Sequence, residues 1–452
     1  MFFVEDPRCA RDSLRTPTLI FSSGKIMFYV VSFFVLGTIV GGQINHAIYR
    51  FAFFSRRPIS PWMTPHPKAA RRNAIDYVPL VGWTMLNREE KIHGSFFWLR
   101  PFLIELGSGT AFAGLYLFHI EYSGLVPTNI DLLVPLSLQI RWSILFTQLV
   151  LFALLTIATF IDFDEFIIPD QVTVTGVMFF LTAAAIAPGS MLPDLLPNQV
   201  ATTMTFASPS AWPPVASSTL GLIAVIGCIW FWCLALIPKT CTFRKGVKSF
   251  FPIMMASIFR KPRLGKGAIP IRPRRMERIT ILLASIALLS IPILITFWTM
   301  AADKNRISLL TSAFGMMFGM NMIWAIRIVG KLALQKEAMG FGDVTLMAMI
   351  GSYVGWQACL PILAISAIAA LLITLPIALL RWNSCLPYGP YLSIGTVAVI
   401  LGWNPVWEHY FKNILQLFGV GNVFMVLVLM TIPMFLLLLV TRFVKERIFG
   451  FH

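Results

Sequence analysis

The chain has 452 residues, of which 57% are hydrophobic and only 12% are charged. Soluble domains are about half apolar and about a quarter charged, so the composition argues against a soluble domain and indicates a lipid bilayer as the solvent. The formal net charge of +16 would suit nucleic acid, but in membrane proteins excess Lys and Arg usually mark cytoplasmic loops. We therefore expect no nucleic-acid partner.

Hydropathy predicts an all-α fold, a polytopic transmembrane bundle of about eleven spans. A helix needs about 20 apolar residues to cross a hydrocarbon core of about 30 Å. The predicted spans are 26–47, 101–120, 142–161, 171–188, 219–238, 279–300, 308–330, 344–357, 358–381, 390–403 and 421–441. The first is followed by Arg50 and a basic loop instead of a small-residue cleavage site, which indicates a retained span.

The basic residues predict the orientation of these spans. The loop 48–100 is rich in Lys and Arg and is placed in the cytoplasm. The stretch 239–278 is also basic and falls on the same side, where it could alternatively bind anionic lipid headgroups or a cytoplasmic partner. The loop 189–218 has no Lys or Arg, falls outside, and is predicted to be flexible. The N-terminal tail, 1–25, is the one exception. Its Lys and Arg residues would lie outside, against the usual preference of these residues for the cytoplasmic side.

The predicted organisation has five parts. They are the tail 1–25, the first spans 26–141 with their loop 48–100, a core formed by 142–188 and 308–403, an insertion 189–307 with two extra spans, and a final span with a basic tail, 404–452.

The first cluster of interest reads FIDFDEFIIPD at 160–170. An ionisable group at membrane depth costs about 2.5–3.5 kcal/mol on insertion scales, so acids at the edge of a span call for an explanation. Asp162 is predicted at the end of an apolar helix, which Pro169 stops before the next span. The negative end of the helix dipole and partial burial both favour the protonated form of Asp162.

The second cluster reads EAMGFGD at 337–343. Gly340 and Gly342 are predicted to adopt backbone conformations that other residues resist. Asp343 is predicted at a helix start, where the dipole favours its ionised form. Peptide hydrolysis by paired carboxylates needs one base and one protonated acid. The helix ends suggest Asp343 as the base and Asp162 as the acid.

The simplest interpretation of Asp164, Glu165 and Asp170 is that they are solvated residues at helix ends. Gly-Asp by itself is a common turn pair. Two such clusters on the same predicted side of a membrane are less ordinary, and they favour one shared site.

At these clusters the sequence resembles the bacterial type IV prepilin peptidases, which are membrane aspartic proteases. The first cluster is similar to the D-x-D-x-x-x-x-P-D segment of that family, and the second to E-G-M-G-x-G-D. Further segments that look like family signatures are VGGQIN at 40–45, YVPLVGW at 77–83, RPFLIEL at 100–106 and LPYGPYL at 386–392.

The resemblance implies a hydrolase that removes leader peptides from prepilins or pseudopilins, for type IV pili or protein secretion, in a bacterial inner membrane. It implies Asp162 and Asp343 as the catalytic residues. The residues that would shape the site are Gly340, Gly342, Asp164, Pro169 and Asp170.

Two features depart from the family pattern. Many members carry two CxxC pairs in the first cytoplasmic loop, which bind zinc and help to N-methylate the product, but 48–100 contains no cysteine. A four-thiolate zinc site is therefore excluded there. We expect proteolysis without a cofactor, and the sequence gives no support for a step that uses S-adenosylmethionine. The second departure is the insertion 189–307, whose even number of spans keeps both aspartates on one side.

Two other functions fit part of the sequence. A proton-coupled transporter also has many spans and acids at membrane depth, but its acids or broken helices belong near the middle of spans. A catalytically inactive protein of pilus or secretion assembly would not need both aspartates and the glycines at 340 and 342.

Overall fold

A computed structural model describes residues 23–52, 65–126, 136–196, 200–236, 274–334, 339–380 and 387–418. Several parts singled out in the sequence lie outside the described residues: the predicted span 421–441, most of the tail 1–25, most of the basic stretch 239–278, and Glu337 and Ala338.

The secondary structure is mainly helical. The longer helices are α1 Ser23–Phe51, α2 Leu99–Tyr116, α3 Leu138–Glu165, α4 Asp170–Ile186, α5 Thr219–Leu236, α6 Arg274–Met300, α7 Asp303–Leu334, α8 Phe341–Leu380, α9 Gly389–Leu401 and α10 Lys412–Phe418. Shorter helical turns cover Ala74–Tyr77, Val81–Met85, Leu86–Glu89, Glu90–His93, Leu117–Glu121, Pro188–Ser190, Pro214–Ser217 and Pro405–Phe411. Strands β1 (Pro193–Leu195) and β2 (Ala201–Thr203) form one antiparallel hairpin with Asp194 opposite Thr202.

Seven helical segments in the described part are long and apolar enough to cross a membrane: Gly24–Phe51, Leu99–Glu121, Leu138–Glu165, Thr219–Leu236, Leu282–Met300, Asp303–Leu332 and Phe341–Thr374. Helices α4 and α9 are apolar but shorter. The prediction of a helical, multi-pass membrane protein is confirmed. The number of about eleven spans and the division into five parts stay predictions.

The described residues form two compact units, of which the first falls within Met1–Tyr49 and Arg57–Tyr122 and the second within Arg50–Arg56 and Ser123–His452. In the first unit, α1 and α2 touch backbone to backbone, because a Cβ atom at Gly41 would lie 2.7 Å from Cα of Glu105. The Glu105 side chain is buried and accepts two hydrogen bonds, from the Leu80 N–H (2.8 Å) and the Trp83 indole N–H (2.7 Å). Glu105 thereby fastens the segment before α2 to the helix pair.

In the second unit, α7 and α8 pack so closely that neither has room for a side chain at the crossing point. A Cβ atom at Gly315 would lie 2.2 Å from the carbonyl oxygen of Gly351, and one at Gly351 would lie 2.3 Å from that of Gly315. Small residues at such crossings let helix backbones approach each other. Helix α4 packs on both members of this pair and α9 packs on α8, while α3 packs on α4 and α9. Helix α5 packs on α7, and α6 packs on α5.

Helix α8 is broken at Gly355, whose backbone angles are φ 79° and ψ 169°. The chain turns back there. Asp343 lies at one end of the first half, while Ser366 in the second half is hydrogen-bonded to Tyr388 (2.9 Å), next to the start of α9 at the same end. The two halves therefore correspond to the predicted spans 344–357 and 358–381, with the turn slightly earlier than predicted.

The loop 189–218 was predicted to be flexible, and for its described residues that prediction is wrong. Side chains from the helices hold its backbone: the Trp356 indole N–H donates to the Phe206 carbonyl (2.7 Å) and the Gln357 amide donates to the Thr205 carbonyl (2.7 Å). Composition indicated a loop without Lys or Arg, but it could not show these partners, which lie far away in the sequence.

Candidate active site

Asp162 lies in the last turn of α3, which continues to Glu165. The helix ends at Phe166, whose φ of 56° is left-handed and whose N–H donates to the Asp162 carbonyl oxygen (2.9 Å). A left-handed residue is a common way to end a helix. Asp162 itself is only 5% exposed, so its carboxyl group is buried at the end of an apolar helix, close to its predicted position.

Asp343 lies in the first turn of α8 and is 6% exposed. Its Oδ2 accepts a hydrogen bond from the Gly340 N–H (3.1 Å). Asp343 is the third residue of the helix, and Gly340 directly precedes the helix. A hydrogen bond from that N–H to the side chain of the third residue is one of the two bonds that make up a capping box. Asp343 therefore fixes the start of its own helix, as the prediction of a helix-start aspartate requires.

The predicted reason for Gly340 and Gly342 is wrong, because neither has a left-handed φ. What distinguishes Gly342 is close approach: a Cβ atom there would lie 3.0 Å from Cβ and 3.1 Å from the backbone nitrogen of Ile168. At Gly340 the nearest atom would be Oδ2 of Asp343, at 3.4 Å, which is an ordinary contact. Gly342 therefore lets the start of α8 touch the turn that follows Asp162.

Gly389 is a site residue that the sequence analysis did not single out. Its N–H donates to Oδ2 of Asp162 (3.0 Å), and a Cβ atom at Gly389 would lie 2.6 Å from that oxygen. The same Cβ would lie 3.0 Å from Cδ1 of Ile168. The available signal was the glycine followed by Pro390 in LPYGPYL, because proline near the start of a helix marks its first turn.

The structure brings Asp162 and Asp343 together. Their carboxylates are close enough to repel each other, and the Arg327 guanidinium attracts Asp343. Arg327 also lies 5.8 Å from the centre of the Phe341 ring, within reach of a cation–π contact.

Burial raises the pKa of Tyr388, and the charge of Asp343 adds to this effect, whereas the hydrogen bond with Ser366 opposes it. The hydroxyl of Tyr388 therefore stays protonated beside the pair.

The helix ends alone do not distinguish the acid from the base. The predicted assignment rests on the negative end of α3 at Asp162, but that carboxylate also faces the positive start of α9 through Gly389. The two dipoles act on Asp162 in opposite directions. Asp162 and Asp343 are almost equally buried, and each accepts one backbone N–H.

The other predicted site residues lie around the turn between α3 and α4. Asp164 is exposed in the last turn of α3, and Asp170 is half-buried as the first residue of α4. Pro169 is buried, and its carbonyl oxygen accepts the Val172 N–H (3.0 Å) in the first turn of α4. Pro169 thus shapes the turn, while the two acids lie at its two sides.

The cysteine-free loop before α2 has ion pairs at its centre. Glu89 is bound by Arg72 (2.8 Å) and lies 3.3 Å from Nε2 of His93, while Asp76 is paired with Arg88. Within the described ranges, no group of three or more His, Cys, Asp or Glu side chains is arranged to hold a metal ion. These residues do not fit a zinc site, and the expectation that no zinc is bound stays a prediction.

Comparison with known proteins supports the resemblance. Residues 279–375 match the model of the Type IV leader peptidase family. Over 112 residues the chain is 32% identical to a prepilin leader peptidase/N-methyltransferase of Aeromonas hydrophila, covering 24% of this chain and 39% of that protein. It is 39% identical over 99 residues to the protein of the same name from Pseudomonas aeruginosa, covering 21% and 34%.

A third relative is an Escherichia coli protein named type 4 prepilin-like proteins leader peptide-processing enzyme, 36% identical over 107 residues that cover 24% of this chain and 38% of that protein. The chain thus matches less than half the length of these curated relatives. The family match contains Asp343 and begins inside the predicted insertion, but it does not reach Asp162. No solved structure matches.

Proposed function

We propose that this relative of the type IV prepilin peptidases, whose residues 279–375 match the leader peptidase family, is itself a membrane aspartic endopeptidase. Its substrates are prepilins or pseudopilins, and it cuts their leader peptides at the cytoplasmic face of a bacterial inner membrane. The observation that carries the proposal is the pairing of two buried aspartates, Asp162 and Asp343, at the ends of two apolar helices.

The chemistry of such a pair needs only the two carboxyl groups and a water molecule. The ionised carboxylate takes a proton from water as its oxygen attacks the scissile carbonyl carbon, and the protonated carboxyl donates to the carbonyl oxygen. The tetrahedral intermediate then breaks its C–N bond, and the amine leaves with a proton from the pair. The two carboxyl groups titrate as a unit, so the proposal assigns these roles to the pair.

Hydrolysis is the whole of the proposed activity. The reaction takes no cofactor, and methylation of the new N-terminus is not part of it, since the loop 48–100 lacks the cysteines that the resemblance connects with that step. The mass of the processed pilin tests this point, because methylation would add one methyl group to the N-terminus.

The test of the proposal is leader removal from a prepilin that is co-expressed with the full chain. Asp162→Asn and Asp343→Asn should each abolish processing, because either change leaves the pair without its acid–base partner. Asp164→Asn serves as the matched control, since Asp164 is an exposed acid on the same turn of α3 as Asp162. Its processing should stay near that of the wild type.

Full processing by either of the first two variants would overturn the proposal. If Asp164→Asn were the inactive variant, the wrong acid of the first cluster would have been assigned. Proton flux by the wild-type chain in liposomes, with no cleavage of any prepilin, would support the transport alternative instead.

A further inference from the structure

Helices α3 and α9 are hydrogen-bonded to each other at two levels. At the first, the Gly389 N–H donates to Oδ2 of Asp162 (3.0 Å). The second level lies one turn before Asp162 in α3 and one turn after Gly389 in α9. There the Thr159 hydroxyl donates to the Ser393 hydroxyl (2.9 Å). Ser393 in turn donates to the Gly389 carbonyl oxygen (3.1 Å). Gly389 is thus connected to α3 in two ways. Its N–H binds Asp162 directly, and its carbonyl oxygen is linked to Thr159 through the Ser393 hydroxyl.

We propose that Thr159 and Ser393 are positioning residues for the reaction and that they act through Gly389 on the catalytic Asp162. The proposal rests on the proposed protease function. Neither hydroxyl has a part in the proton transfers. Their role is to hold the start of α9 in the position from which its first N–H points at the aspartate.

The orientation of Asp162 depends on that N–H. A carboxylate that is held at one oxygen presents the other in a fixed direction, and a misplacement of about 1 Å at a reacting group costs up to roughly a hundredfold in rate. The sequence favours this arrangement, because Thr159 and Asp162 have the spacing of neighbours on one helix face, as do Gly389 and Ser393. The two pairs therefore meet along one line of contact.

Ser393 shares the buried environment of the aspartate, and Thr159 is half-buried. Ser393 is 7% exposed and Asp162 is 5% exposed. In a low-dielectric interior, successive hydrogen bonds polarise and strengthen one another. Removal of the first donor in the chain should loosen the start of α9 without removing any group that touches the substrate.

The decisive experiment compares Thr159→Val with Thr159→Ser in the purified full chain, with a purified prepilin as substrate. Valine keeps the shape of threonine without the hydroxyl, whereas serine keeps the hydroxyl. We expect Thr159→Val to lower kcat about five- to tenfold with KM unchanged, as for the loss of one hydrogen bond. Thr159→Ser should restore most of the activity.

The matched control is Thr156→Val. Thr156 lies one turn earlier on α3, and its hydroxyl donates within the helix to the Phe152 carbonyl (2.7 Å). This variant should have the kcat of the wild type. Equal kcat values for Thr159→Val and the wild type, an equal fall in both valine variants, or a change confined to KM would each overturn the proposal.

A double variant tests whether the hydroxyls act as one chain. Once the Thr159 donor is gone, loss of the Ser393 hydroxyl should cost less than it does alone, so the losses in Thr159→Val/Ser393→Ala should be less than multiplicative. Fully multiplicative losses would mean that the two groups act separately and would contradict the proposal.

The failure of this proposal is distinguishable from that of the proposed function. If the wild type cleaves no prepilin, the proposed function fails. If the wild type cleaves, Asp162→Asn does not, and Thr159→Val is as active as the wild type, only the positioning role fails.

Discussion

Ile168 lies between two glycines that begin different helices. Gly342, at the start of α8, approaches its backbone, and Gly389, at the start of α9, approaches the end of its side chain. Asp343 follows the first glycine, and Asp162 accepts the N–H of the second. We therefore expect the fit of both glycines against this one isoleucine to set the distance between the two carboxyl groups.

The two glycines of the GFGD segment should differ in their response to substitution. Gly342→Ala places a methyl group 3.0 Å from Cβ of Ile168 and 3.1 Å from its backbone nitrogen, so the start of α8 must move. We expect a loss of roughly tenfold or more in prepilin cleavage, because small misplacements of a reacting group are costly.

Gly340→Ala is the matched variant, because its new methyl group would meet nothing closer than Oδ2 of Asp343, at 3.4 Å. Its cleavage rate should remain within a few-fold of the wild type. Rates measured for both variants decide the matter, and a larger loss at Gly340 than at Gly342 would show that the fit against Ile168 does not control the site.

Sequence alone predicted the two aspartates as a candidate pair, because an acid at the edge of an apolar helix is visible from local composition. The partners of those aspartates were not visible. Gly389 and Ile168 reach the site only through the packing of α9 and of the turn after α3, and the proline after Gly389 signals a helix start but no role at the site. The positive end of α9 was missed for the same reason, and with it the opposing dipole at Asp162.

Helices were predictable where apolar length decides them, but the turn inside α8 lies at Gly355, slightly before the predicted boundary between the spans 344–357 and 358–381. The sequence from 344 to 374 is apolar throughout, so hydropathy alone does not show where the chain reverses. The turn is set by Gly355, whose φ of 79° and ψ of 169° are available almost only to glycine. Its position depends on backbone geometry, which hydropathy does not record.

Gly355→Ala should therefore destabilise the second unit. Strain in such a region costs about 1–3 kcal/mol, and we expect the variant to unfold at a lower temperature in detergent. Gly227→Ala in α5 is the control, because a Cβ atom there would meet nothing within 4 Å. That change should leave the melting temperature unchanged or raise it slightly. A wild-type melting temperature for Gly355→Ala would show that the turn tolerates a side chain.

At the scale of the whole molecule, residues far apart in the sequence anchor the hairpin β1–β2. Asp194 is 3% exposed and accepts hydrogen bonds from the Trp407 indole N–H (2.9 Å) and the Lys412 ammonium (3.1 Å). Lys412 also pairs with Glu408 (3.0 Å). The loop between α4 and α5 is thus fixed to the segment after α9, which explains why a stretch without Lys or Arg is ordered.

The variant Lys412→Met measures how much the ion pair between Lys412 and Asp194 contributes to the stability of the folded protein. Removal of one partner from a buried ion pair leaves an uncompensated charge, which costs about 3–5 kcal/mol. The double variant Lys412→Met/Asp194→Asn should recover part of that loss, since Asp194 is then neutral, and of the two acids that pair with Lys412 only the more exposed Glu408 keeps its charge. Asp303→Asn is the control, because the Asp303 side chain is 65% exposed in its ion pair with Arg306. Ion pairs that are exposed to solvent contribute at most about 1 kcal/mol to the free energy of unfolding.

Unfolding of the four proteins in detergent, followed by circular dichroism, gives the comparison. The expected order of stability is wild type, then Asp303→Asn, then the double variant, with Lys412→Met lowest. If Lys412→Met were as stable as Asp303→Asn, water would have replaced the lysine at Asp194, and the anchor would be a surface contact. In that case the order of the loop would depend on the indole and amide donors at Trp356, Gln357 and Trp403, which bind its carbonyl groups directly.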